Sequence, residues 1–169
     1  MGKFLESINA LSNWSGKVFS FLTIATIAVI IPEVIGRYAF THSFLFVHDL
    51  VWFFCGSLYI LGGAYTLLRD GHVKVDIVYV KLQPHIRAIL DVVTFPIFCC
   101  FCVLLIWQGG IGFWEAFKTL EVTVTPWGGP IWLLRLTIPI GASLLLLQGL
   151  GKFIRDFNVA IGRKAKYDN

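Results

Sequence analysis

The sequence is short of charge. Only 14% of its 169 residues are Asp, Glu, Lys or Arg, while 57% are hydrophobic, and the mean hydropathy is +0.76. A water-soluble domain of this length needs far more polar surface, so the apolar side chains require lipid as their outer solvent. The middle of each long apolar run is free of charge, which argues against a proton relay or ion path. Histidine is equally scarce there: His42, His48, His72 and His85 all fall in or beside loops. A four-helix cytochrome needs facing histidines within its spans, so haem ligation is not supported. Cys55, Cys99, Cys100 and Cys102 sit among apolar residues, where a thiolate is disfavoured and cysteine acts as a small hydrophobe. No P-loop, dinucleotide fingerprint, zinc-protease motif or nucleophile elbow occurs, so no enzyme, cofactor or metal site is expected. The basic residues stand at the ends of apolar runs and form no basic stripe, so no nucleic-acid partner is expected either. Internal repeats and low-complexity stretches are also missing.

What is present is four apolar runs, each long enough for a span of roughly 20 residues. They cover about 18–38, 47–68, 86–114 and 131–151. Lipid leaves backbone groups no partner, and the alternation of a barrel strand is missing, so the runs predict helices. The expected fold is an all-α integral membrane protein, a single membrane domain over 1–169 with four transmembrane helices. Lys3, Glu6 and Lys17 precede the first run, so the first span is expected to serve as its own uncleaved insertion signal.

Of the 14 Lys and Arg residues, all but Arg37, Lys118 and Arg135 fall in the N-terminal segment, around the middle loop or in the C-terminal tail. The positive-inside rule then places both termini and the middle loop in the cytoplasm. Tyr38, Trp114, Trp127 and Trp132 mark the opposite boundary, where an apolar ring with a polar edge suits the headgroup zone.

Two short helices are expected along the cytoplasmic surface. Phe4, Leu5, Ile8, Leu11 and Ser15 share a helical face over about 3–15, and a second apolar segment covers about 76–83. Pro84 then suits the first position of the third span, where a missing N–H is harmless. Pro32, Pro96 and Pro139 fall within spans and predict kinks.

Charges near the boundaries supply the candidate contact residues. Glu33 and Arg37 stand four apart, the spacing of an intrahelical ion pair. Asp49 opens the second span across a short loop from Arg37. Arg135 lies one turn into the fourth span, and Glu115 and Glu121 stand at the same boundary. Such charges pin helix to helix, snorkel to the interface or meet a partner subunit. At the middle loop Arg69, Asp70, His72, Lys74 and Asp76 combine topology with a turn at Asp70-Gly71. Gly109-Gly110-Ile111-Gly112 predicts close helix packing.

The run Arg69-Asp70-Gly71-His72-Val73-Lys74-Val75-Asp76 follows directly on Gly62-Gly63-Ala64-Tyr65-Thr66. With Gly36-Arg37-Tyr38, Trp52, Pro126-Trp127-Gly128-Gly129-Pro130, Ile138-Pro139-Ile140-Gly141 and Leu144 to Gln148, it resembles the small membrane subunit of tripartite ATP-independent periplasmic (TRAP) transporters, the DctQ-like family. The resemblance implies an accessory subunit of a sodium-driven symporter in a bacterial inner membrane, taking up organic acids or similar solutes. Its implied partners are a large TRAP membrane subunit, which it scaffolds, a periplasmic solute-binding protein and membrane lipids. A membrane redox protein, thiol/quinone or haem, and a stand-alone structural oligomer are the alternative readings.

Overall fold

The computed structural model describes residues 2–40, 44–69, 84–125 and 127–160. They form four α-helices: α1 (Gly2–Phe40), α2 (Leu45–Leu68), α3 (Pro84–Thr119) and α4 (Ile131–Ala160). Each is long and apolar enough to cross a membrane. Among the described residues the β-structure is a lone bridge, Val122 to Pro130. The segment expected as a surface helix over 76–83 lies outside the described residues, as do Asp70, His72, Lys74 and Asp76.

The helices overrun the apolar runs that predict them. With 39 residues, α1 is ~58 Å long, against ~30 Å of hydrocarbon. The stretch expected as a separate helix over 3–15 is continuous with the first span, because nothing between Leu11 and Val18 breaks the helix. Its inner face is a protein contact: Ile8, Ser12 and Ser15 are buried, and the Ser12 hydroxyl donates to Gln148 Oε1 of α4 at 2.9 Å. The Gln148 amide in turn donates to Asn9 Oδ1 at 3.3 Å. Pro84 is the first residue of α3, and the helices run unbroken through Pro32, Pro96 and Pro139.

In the packing, α2 lies against both α1 and α4, α1 also touches α4, and α3 packs along α4. Apart from Gln148, the most buried positions are small ones, including Ala64, Cys102 and Ala116. Small side chains let helix backbones approach in lipid, where no hydrophobic effect drives them together. Gly141 of α4 meets backbone: a Cβ there would lie 2.6 Å from the Ile60 carbonyl oxygen of α2. Between α3 and α4, Phe95 stacks on Phe153 with centroids 4.2 Å apart, and Gly109 faces Ile138 and Pro139. The outward faces are aliphatic and aromatic, as a lipid solvent requires: Phe21, Ile24, Ile27 and Ile31 on α1, Ile97 and Val103 on α3.

The end of α3 sets up the next site. Glu121 N–H reaches the Ala116 carbonyl at 2.9 Å, and Leu120 N–H reaches that of Phe117 at 3.3 Å. This is a Schellman cap with Leu120 at φ 47° in the position that glycine usually takes. The left-handed residue reverses the chain and delivers Glu121 towards α4.

Candidate functional site

The charged residues gather at two ends of the bundle. One end carries Phe40, Leu45, Thr119 and Ile131, together with the 120–130 loop. There the Glu33 carboxylate, 7% exposed, accepts Arg37 Nη2 through Oε1 at 2.7 Å and the Phe44 N–H through Oε2 at 2.7 Å. Phe44 is the N-cap of α2, so Glu33 ties α1 to the start of the next helix. The ion pair follows from i, i+4 spacing; the bond to Phe44 depends on how the intervening turn folds.

Asp49 does not join Arg37. Buried at 6% exposure, it accepts the Thr123 hydroxyl at 3.3 Å and the Thr125 hydroxyl, both through Oδ2. Thr123 Oγ1 also accepts the Gly129 N–H at 2.8 Å. One carboxylate on α2 therefore orders the loop that follows α3. Asp49→Ala is expected to leave the four helices intact and to speed amide exchange at Gly129 and its neighbours about tenfold, the loss of ~1.4 kcal/mol of local protection. Hydrogen exchange with mass spectrometry reads this; unchanged exchange across 121–130 would count against the anchor.

Arg135 of α4 holds Glu121 with both guanidinium nitrogens at 3.1 Å and donates to the Gly112 carbonyl at 3.3 Å. Both charged side chains are more than a third exposed, so this fork contributes geometry more than stability. A cleft of about 610 Å³ opens between α1 and α2 beside this end, lined by Glu33, Arg37, His48, Asp49 and Thr125 among apolar residues. His48 Nε2 accepts the Trp52 indole N–H at 2.9 Å.

At the opposite end Arg69 lies with its guanidinium 5.5 Å from the centroid of the Tyr65 ring. The main cluster there is one that sequence reasoning missed. Lys152 of α4 pairs with Asp156 one turn on at 3.1 Å and with Asp91 of α3. A small cleft of about 130 Å³ beside them is walled by Leu67, Phe95 and Phe98. A signal existed: Asp91 sits just inside the third apolar run, and Lys152 and Asp156 have i, i+4 spacing. Counting Lys152 only as a topology charge hid the cluster.

The cysteines are free thiols; Cys102 is fully buried and Cys100 faces outward from α3. Both charged ends thus join helix to helix or helix to loop.

Comparison with known proteins agrees with this architecture. No curated protein matches the chain. The family model for the DctQ component of tripartite ATP-independent periplasmic transporters matches residues 26–159, from the middle of α1 to the end of α4. With four helices able to span a membrane and most of its length matched, the chain belongs to the DctQ family, the small membrane component of TRAP transporters.

Proposed function

We propose that this chain is the non-catalytic scaffold subunit of a sodium-driven uptake system for organic acids or similar solutes. It braces a large transport subunit in a bacterial inner membrane and works with a periplasmic solute-binding protein. The observation that carries this reading is the distribution of charge. No Asp, Glu, Lys or Arg occurs over 18–32, 50–68, 92–114 or 136–151, and Glu33, Arg37, Asp91, Glu121, Arg135 and Lys152 nearer the ends are paired. Four spans with dry centres supply no route for a carboxylate or a sodium ion, but they make a stiff wall against which another subunit moves.

In this reading both termini are cytoplasmic, by the positive-inside rule. Arg37, Asp49, Glu121 and Arg135 then order the periplasmic surface near the binding protein. Arg69, Asp70, His72, Lys74 and Asp76 belong to the cytoplasmic loop, close to lipid headgroups.

The test is purification of the tagged chain from membranes containing the whole system, followed by reconstitution. The expected result is co-purification of a larger membrane protein, and uptake that requires both membrane chains, the binding protein and a sodium gradient. Solute flux through vesicles holding this chain alone would overturn the scaffold reading.

A further inference from the structure

α2 and α3 both pack on α4 but make no comparable contact with each other, which leaves a groove floored by α4. At one end Leu67 of α2 and Thr94 and Phe98 of α3 form its walls above Gly149. Along the α2 wall, Leu67, Gly63 and Tyr59 belong to one ridge of four-residue steps. Along the α3 wall, Thr94, Phe101 and Gln108 recur every two turns on one face.

Tyr59 and Gln108 reach this groove at the same depth. Ile60, next to Tyr59, meets Gly141 of α4; Gly109, next to Gln108, meets Ile138 and Pro139. The Tyr59 ring is 78% exposed and Gln108 is exposed. Neither the hydroxyl nor the amide has a hydrogen-bond partner among the described residues. Tyr59 lies only ~4 Å from the midpoint of the 24-residue α2. Its Cβ leans toward the helix N-terminus, away from the nearer end, so the hydroxyl is not placed to snorkel to that surface. Hydrocarbon chains cannot satisfy a phenol and an amide exposed at one level on two spans. The exposed face of α1, with Phe21, Ile24, Ile27 and Ile31, shows what a lipid-facing surface of this protein looks like.

We propose that the groove between α2 and α3 seats a transmembrane helix of the large TRAP membrane subunit, which supplies hydrogen-bonding groups to Tyr59 and Gln108. This rests on the scaffold reading above. A helix carrying polar side chains at this level satisfies both groups, and the family that matches this chain is one component of a tripartite transporter.

The test places the photoreactive residue p-benzoylphenylalanine at Tyr59, Gln108, Ile27 or Val103 of the full chain, in membranes containing the whole transporter. Adducts are identified by mass spectrometry. Adducts with the large subunit from positions 59 and 108, at least tenfold more abundant than from 27 and 103, are the expected result. Tyr59→Phe and Gln108→Leu should each leave insertion unchanged and weaken recovery of the complex about threefold, the typical size of an interhelical hydrogen bond in a membrane. If the unmodified chain brings down no larger membrane protein, the scaffold reading fails and the inference with it. If the complex forms but positions 59 and 108 link only to lipid or to a second copy, the groove assignment alone is overturned.

Discussion

Gly141→Leu is expected to drive α2 and α4 apart and to cost about 3 kcal/mol of stability. A Cβ at this position would lie 2.6 Å from the Ile60 carbonyl oxygen and 3.0 Å from its carbon, both backbone atoms of α2. No rotamer change relieves such a clash, so the helices themselves must separate. Separation also disturbs α1, which packs on α2, and the Gln148 contacts with Ser12 and Asn9. Gly110→Leu is the matched control, since a Cβ there meets nothing within 4 Å. It should change stability by no more than ~0.5 kcal/mol. Thermal unfolding in detergent, followed by size-exclusion chromatography, separates the two; equal melting of both variants would refute the close α2–α4 contact.

The second large effect belongs to Lys152. Its ammonium serves Asp91 and Asp156 together, and the three side chains are only 17–22% exposed. Lys152→Met removes the cation that both carboxylates share and leaves them repelling each other where α3 meets α4. The expected loss is about 2–3 kcal/mol, below the ~3–5 kcal/mol of a fully buried pair because water still reaches the cluster. Adding Asp91→Asn and Asp156→Asn to Lys152→Met should recover most of that loss, since neutral amides need no counter-charge. The comparison is again the melting temperature in detergent. A triple variant no more stable than Lys152→Met would show that packing of the lysine stem, and not charge, is what α4 contributes.

Gly141 belongs to the family-like Ile138-Pro139-Ile140-Gly141 run, which carries no sign of which backbone it meets. The Gly109 stretch did announce close packing, and Gly109 indeed faces Ile138 and Pro139. Glu33 and Arg37 share one helix, so their spacing alone defines the pair at 2.7 Å. Only a short loop separates Asp49 from Arg37 in sequence, and both line the cleft between α1 and α2, yet Asp49 does not bond to Arg37. Its partners are instead Thr123 and Thr125, more than seventy residues away. The helix over 3–15 looked amphipathic enough to lie on a surface, yet it continues α1 and buries Ser12 against Gln148.

Sequence alone determined the number of spans, their approximate positions, the clustering of charge at two boundaries and the family. The first three depend on how one residue, or one short run, partitions between water and lipid, and that property is local and additive; the family is carried by short motifs in fixed order. Only the tertiary structure decided which helices touch, how far each extends, and which side chains meet across them. Those outcomes depend on the rotation and depth of each helix against its neighbours, which hydropathy does not record. The same dry centres that made the four spans legible therefore said nothing about the α2–α3 groove. Tyr59 and Gln108 stand out only once both are seen at one level with no partner.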